Sequence, residues 1–484
     1  MSDENSYDVI VLGAGPVGEN VADRARAAGL STVVVESELV GGECSYWACE
    51  PSKALLRPAL LYAEAARFPG VASAVTGPLD ARAVLKHRDR MVADWNDQGQ
   101  VEWLESAGIA LIRGHGRLDG VRRVTVQTPD GGTVRLRARH AVAICTGTRA
   151  AVPPLPGLDT VRPWTSREAT SATEVPGRLA ILGAGVVAVE MATAWRALGS
   201  EVVLIAREPR LLARVEPFAA ELVADRLREA GVELRFDSGV SSAERAGGPD
   251  DGLHLSLHDG TRIVVDELLL ATGREPRTDD IGLETVGLTP GDWLATDDAF
   301  TVTGVEGEWL YAVGDVNRRA LLTHQGKYQA RVAGTVIADR AAGCDIDTAP
   351  WGKHTGTADL VAVPQVVFTD PEIAAVGLTT EDAARAGRIV EVVDYDIGRV
   401  AGALQHDPGY RGRARILVDP ERRVIVGAAF AGPGVAELLH SATIAITGEV
   451  PLDRLWHAVP AFPTISEVWL RLLETHRDQR AEPR

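Results

Sequence analysis

The chain has 484 residues, 45% of them hydrophobic and 24% charged, with a formal net charge of −17. Its length exceeds one hydrophobic core and predicts about two to four domains. The acidic balance argues against a nucleic-acid partner, and no apolar run is long enough to span a membrane.

The N-terminus, "MSDENSYD", is acidic and polar, unlike the basic start of a secretory signal, so a cytoplasmic location is expected. "YDVIVLGAGPVGENVADRARAAGLSTVVVES" (7–37) then reads as strand, glycine turn, amphipathic helix, second strand. Next comes "GGECSYWACEPSK" (41–53), with Cys44 and Cys49 close together in a chain of four cysteines. Spacing alone leaves three readings: a redox pair, half of a metal site, or two core residues. "HAVAICTGTRA" (140–150) is a further strand ending in a glycine turn.

"RLAILGAGVVAVEMATAWRALGSEVVLIAR" (178–207) repeats the opening pattern, aligning Gly13 with Gly183 and Gly29 with Gly199. Two such strand–turn–helix units predict two dinucleotide sites, a far stronger signal than one. Gly13 and Gly183 make the tight turn. Gly15 and Gly185 let backbone approach a pyrophosphate, and Gly18 and Ala188 allow close helix–strand packing. The helix N-terminus offers its free N–H groups to the phosphates. The first copy ends in Glu36, which suits the unphosphorylated ribose of FAD or NAD. The second has Ala206 there, followed by Arg207 and Arg210. Losing the carboxylate and gaining cations favours NADP(H) over NAD(H), unless both arginines are merely solvated surface.

"DELLLATGREP" (266–276) and "WLYAVGDVN" (309–317) add two more strand–turn segments. After about residue 355, "PQVVFTDPEIAAVGLT" and "RARILVDPERRVIVGAAFAG" alternate as antiparallel strands, and helices are predicted at about 433–448 and 464–476. This part reads as a separate α+β domain.

The motifs "GAGPVG", "GGECSYWACEPSK", "ATGREP", "YAVGDV", "VVFTDPEIAAVGLT" and "PTISE" occur in one order. In that order they resemble the class I pyridine nucleotide–disulfide oxidoreductases, the flavoproteins that include glutathione reductase, dihydrolipoamide dehydrogenase and mercuric reductase. The resemblance implies an α/β fold of two Rossmann-like domains and a C-terminal α+β dimerisation domain. It implies an FAD-binding domain at 1–155 and 286–355, an NAD(P)-binding domain at 156–285, and a dimerisation domain at 356–484. FAD is expected on Gly13, Gly15, Gly18, Glu36, Gly42, Thr146, Gly147 and Asp315. The nicotinamide nucleotide is expected on Gly183, Gly185, Arg207, Arg210 and Gly273. Lys53 matches the lysine beside the flavin, with Glu190 as its partner. The protein is expected to be a homodimer that acts on a small-molecule substrate.

With this context the cysteine pair reads as a redox-active disulfide. Cys49 corresponds to the thiol nearest the flavin and Cys44 to the interchange thiol that meets the substrate. A zinc site would need further soft ligands at short spacing, and Cys145 and Cys344 are isolated, so no metal is expected. Pro51 suits the first turn of a helix, so Cys49 is expected just before a helix N-terminus, where the dipole favours a thiolate. Lys53 lies about one turn on, and Pro58 introduces a kink. Cys145 reads as core and Cys344 as an inert thiol. The chain has no C-terminal cysteine pair, which disfavours mercuric reductase and the thioredoxin reductases that carry one.

Two departures stand out. Where the family has His-Pro-Thr-x-Ser-Glu, this chain has "FPTISE", placing Phe462 at the acid–base position and Glu467 where the glutamate that holds the histidine belongs. Phenylalanine cannot exchange a proton, and losing a positioned acid–base costs on the order of 100- to 10,000-fold. His457, five residues earlier, either substitutes for it or is a partly buried interface histidine. Glu50, beside Cys49, replaces a usually apolar residue. It would raise the thiol pKa if buried, or else face solvent or support the helix N-terminus. Tyr46 and Trp47 between the cysteines either wall a substrate or simply pack.

The expected activity is transfer of an electron pair from NADPH through FAD to the disulfide and on to an acceptor that is not an ordinary small disulfide. The alternatives are a dihydrolipoamide dehydrogenase using NADH, a quinone or other acceptor reductase, and an enzyme like 2-ketopropyl-coenzyme M oxidoreductase/carboxylase. That last enzyme also has the phenylalanine, but follows it with a histidine where this chain has Glu467.

Overall fold

The computed structural model describes residues 5–245 and 252–481, which group into two units. The first unit comprises the chain up to Pro51, Asp89–Ala151 and Arg274–Leu360. Its seven-stranded sheet has the order Ala110–Arg113, Thr32–Glu36, Ser6–Leu12, Thr133–Ile144, Arg123–Gln127, His115–Leu118, with Leu310–Ala312 also paired to Thr133–Ile144. Ser6–Leu12 lies parallel to both its neighbours. Successive strand residues face opposite sides. Val9 and Val11 therefore pack with Val21 of helix Pro16–Ala27 and Val336 of helix Thr323–Ala341, while Ile10 and Leu12 pack with Leu118, Val126 and Trp309. A sheet buried on both faces explains why the opening strand is a continuous apolar run.

The second unit comprises Ser52–Arg88, Val152–Gly273 and the chain from Val361. Strands Glu233–Arg235, Glu201–Ile205, Arg178–Leu182 and Glu267–Leu270 form a parallel sheet in that order. Leu179 and Ile181 face one core, and Ala180 and Leu182 the other, repeating the first unit's logic. Val240–Arg245, Leu253–Leu257 and Arg262–Val265 form a small antiparallel sheet. The C-terminal part is a five-stranded antiparallel sheet, Gln365–Val367, Glu372–Gly377, Val424–Gly432, Arg413–Asp419, Glu391–Asp396, which packs helices Leu439–Thr447 and Glu467–Ala481.

Three predicted boundaries differ. The helix expected at 433–448 begins as a 3-10 turn, Val435–Leu438, behind Gly434 in the left-handed region, and becomes α-helical only at Leu439. The helix expected at 464–476 starts at Glu467 and runs to Ala481. Cys49 is itself the first residue of helix Cys49–Arg67, which continues through Pro58. No helix among the described residues is long and apolar enough to cross a membrane.

Two buried groups yield measurable consequences. Trp195, fully buried beside Trp164 at 5.4 Å between ring centroids, has no hydrogen-bond partner for Nε1. Trp195→Ala is expected to cost about 4 kcal/mol in denaturant unfolding, and Trp195→Phe far less, since it also removes an unsatisfied N–H. Glu19, on the first turn of Pro16–Ala27, has an unpaired, buried Oε1. Burial raises its pKa to about 7, opposed by Lys327 and assisted by Glu36. The folded chain then binds this proton more tightly than the unfolded chain, so stability falls as pH rises from about 4.5 to 7 and is level above. Urea titrations should show a loss of about 3 kcal/mol across that window; in Glu19→Gln this component should vanish.

Candidate functional site

In the first unit, Gly13 adopts φ +97°, and a Cβ there would lie 2.5 Å from the Cys145 carbonyl oxygen. Only glycine permits both the angle and the approach. The turn delivers Gly15 as N-cap of helix Pro16–Ala27, so the helix's first N–H groups point outward as an anion site. Gly42 packs directly on Gly15; a Cβ on Gly42 would sit 2.8 Å from the Gly15 Cα. Glu36 is held at its strand end, where its carboxylate accepts the backbone N–H of Ala14 at 2.6 Å and of Glu38 at 2.8 Å.

Further along this cradle, the Thr146 Oγ1 is buried without a partner. Asp315 accepts the Thr148 hydroxyl at 2.9 Å, and burial pushes its carboxyl above the usual range. The turn carrying Asp315 is fixed from beneath. Gln329 Oε1 accepts the Gly314 N–H and the Asn317 amide, each at 2.8 Å, and Gln329 and Gln325 donate to the fully buried Asp359 at 2.9 and 2.6 Å. A glycine-lined helix N-terminus, a fixed carboxylate and an unpaired buried hydroxyl fit a dinucleotide such as FAD.

Cys44, in the five-residue helix Gly42–Tyr46, and Cys49 are free thiols in hydrogen-bond contact. The Thr323 hydroxyl lies 3.3 Å from the Cys49 Sγ. The Cys44 thiol is pushed well above its usual pKa, first by hydrogen bonding to Cys49, then by burial; Thr323 opposes the shift, and the charge of Glu50 adds to it. Glu50 is exposed in the first helical turn. Glu43, before Cys44, is paired with Arg277 at 2.9 Å. Cys145 is buried and Cys344 exposed.

In the second unit, Lys53 Nζ meets Glu190 Oε2 at 2.8 Å and stands 4.9 Å over the Phe368 ring. Glu190 is buried, and its other oxygen accepts the Phe368 N–H at 3.0 Å. Gly183 repeats the turn of Gly13 at φ +127°, and Gly185 caps helix Val186–Leu198 with open space beside it. Gly273 also takes a positive φ, +136°.

Of the two arginines expected for a phosphate, Arg210 is engaged elsewhere. It donates to the carbonyls of Ala213 and Val215 and pairs with Glu381 at 2.7 Å. Arg207 is exposed, with no ion pair among the described residues.

Phe462 is 75% exposed. Glu467, expected to hold a histidine, instead pairs with Arg471 at 2.6 Å through Oε1, and its buried Oε2 has no partner. His457 is exposed, five residues from Phe462 in the chain. Thr323, Arg277, Glu19, Asp359 and Arg471 belong to no motif, and no sequence signal marks them. Among the described residues no cluster of His, Cys, Asp and Glu could hold a metal ion.

Comparison with known proteins agrees with this geometry. A family described as pyridine nucleotide-disulphide oxidoreductase matches residues 7–333, and its dimerisation domain matches residues 363–472. The chain is 33% identical to a dihydrolipoyl dehydrogenase of Pseudomonas aeruginosa over 478 residues, 96% of each chain. It is 28% identical to a mercuric reductase of Staphylococcus aureus, covering 96% of this chain and 81% of that one. The HOCl-induced flavoprotein disulfide reductase RclA of Escherichia coli, solved as a Cu(II) complex, superposes with a TM-score of 0.82. Its identity is 23%, covering 97% of this chain and 99% of that one, and the likeness bears on the fold. The chain therefore belongs to the pyridine nucleotide-disulphide oxidoreductases, FAD-containing oxidoreductases, and carries their dimerisation domain.

Proposed function

We propose that this enzyme takes an electron pair from NADPH into the Cys44–Cys49 centre and delivers it from Cys44 to an acceptor other than an ordinary small disulfide. The observation that carries this reading is Phe462 at the acid–base position, together with a Glu467 already engaged by Arg471. FAD, when bound, supplies the two-electron carrier between nicotinamide and cysteines. Glycine backbone and the helix N-termini hold the nucleotides, and Lys53 is oriented by Glu190. Thr323 donates to the Cys49 thiolate once it forms. The reduced centre gives up two electrons as the Cys44–Cys49 bond closes, and two protons leave with them. Without a histidine, no side chain at the 462 position can hand a proton to a leaving thiol. That suits a quinone-like acceptor, a specialised thiol substrate or a reaction that avoids protonation. Cytoplasmic location and homodimeric action complete the proposal.

The NADPH preference now rests on Arg207 beside Ala206, Arg210 being occupied. The competing reading is a dihydrolipoamide dehydrogenase using NADH, favoured by the 33% identity to an enzyme of that name.

Arg207→Ala should raise the KM for NADPH roughly tenfold, as expected for one charge-assisted contact, and leave the KM for NADH nearly unchanged. A wild type with no NADPH preference would refute the cofactor assignment. Anaerobic NADPH titration followed by assays with glutathione disulfide, lipoamide and quinones tests the acceptor; disulfide turnover as fast as in ordinary members would refute it. Phe462→His alone should recover little disulfide turnover, because Arg471 already holds Glu467. Phe462→His with Arg471→Leu should recover more, and equal recovery would show that the ion pair is no obstacle.

A further inference from the structure

Two carboxylates flank the cysteine pair, and they differ. Glu43 precedes Cys44 and is neutralised by Arg277 at 2.9 Å, a guanidinium that also lies 3.5 Å from Glu38 and donates to the Thr148 carbonyl. Glu50 follows Cys49 directly. It is exposed in the helix's first turn and has neither a hydrogen bond nor an ion pair among the described residues. It adjoins Cys49 in the chain, and the Cys49 side chain is hydrogen-bonded with that of Cys44. The chain therefore neutralises one carboxylate at the dithiol and leaves the other open to whatever approaches.

Given the reading that acceptors meet Cys44, we propose that Glu50 is a charge-selecting residue which admits uncharged and cationic acceptors to Cys44 and repels anionic ones. With a disulfide RSSR, Cys44 loses its proton to water and its sulfur attacks one sulfur of RSSR to form Cys44–S–S–R and release RS⁻. Cys49 then gives its proton to water, attacks the Cys44 sulfur, closes the Cys44–Cys49 bond and releases the second RS⁻. Each thiolate takes a proton from water. Where R carries a carboxylate near its sulfur, that charge approaches a dithiol beside which Glu50 stands exposed. The Coulomb cost at about 4 Å in water corresponds to roughly fivefold in rate per charge, and less at high salt. The charge of Glu50 also acts to raise the Cys44 thiol, in line with a carboxylate within electrostatic reach of that sulfur.

The test uses the NADPH-reduced, FAD-loaded enzyme and small alkylating reagents, so it does not depend on finding the natural acceptor. Alkylation of Cys44 is followed by peptide mass spectrometry with iodoacetamide (neutral), iodoacetate (anionic) and 2-bromoethylamine (cationic). Taking rate ratios cancels any common change in thiolate fraction. Glu50→Gln should raise the iodoacetate-to-iodoacetamide ratio roughly fivefold and lower that of bromoethylamine, Glu50→Lys should go further, and 0.5 M salt should flatten all three. Ratios unchanged in both variants, or rates altered equally for all three reagents, would overturn the proposal and leave Glu50 only a modulator of thiol acidity. Cys44→Ser separates the underlying reading. If NADPH-driven acceptor reduction survives it, routing through Cys44 is wrong, whatever the ratios at Glu50.

Discussion

The rest of the site depends on one close approach, the Gly42 backbone against Gly15. A Cβ on Gly42 would sit 2.8 Å from the Gly15 Cα, so the cysteine-bearing helix and the N-cap of the nucleotide-binding helix form one packed piece. The contact is reinforced on each side. Gly41 donates to the Ala14 carbonyl at 2.7 Å, Val40 to Asp97 at 2.7 Å, and the Trp95 indole to the Tyr46 carbonyl at 3.1 Å. Thiol chemistry needs sub-ångström placement relative to a bound carrier. Here that placement comes from backbone contact, with Tyr46 buried between the cysteines and packed edge-on against Trp47.

The same economy does not extend to the C-terminal segment. Pro463, Thr464, Ser466 and Glu467 keep the family's register, yet the histidine they would position is Phe462. The glutamate has not become inert surface. It is buried, half of it claimed by Arg471 one helical turn on and half unpaired. A buried carboxylate with one oxygen unmatched is costly, and here it stands five residues after a phenylalanine that can exchange no proton with it.

What was legible in the sequence followed from periodicity and from glycine. Continuous apolar runs marked the parallel strands and alternating ones the C-terminal strands, and Gly13 and Gly183 announced the turns because no other residue takes their φ with a carbonyl so close. The Lys53–Glu190 contact was legible through the family motif. Arg210 was not. Its engagement with Glu381 joins residues 171 apart in the chain, and nothing local distinguishes a free arginine from a captured one. Thr323 and Arg277 escaped for the same reason, being brought to the cysteines only by the fold. Helix starts shifted where Gly434 takes the left-handed region and where residues 462–466 run as turns ahead of Glu467, which apolar spacing alone does not register.

The buried amide–carboxylate network under Asp315 bears on how the protein is made. Asp359 closes it, and Gln325 and Gln329 lean on Asp359. The glycine turn at residue 13 is synthesised well before residue 359, and the turn carrying Asp315 is not locked until residue 359 has been added. At typical translation speeds that interval is roughly 20–70 s. During it, the nascent chain carries the Gly13 turn without the locked Asp315 turn, so the two halves of the cradle are completed at widely separated times.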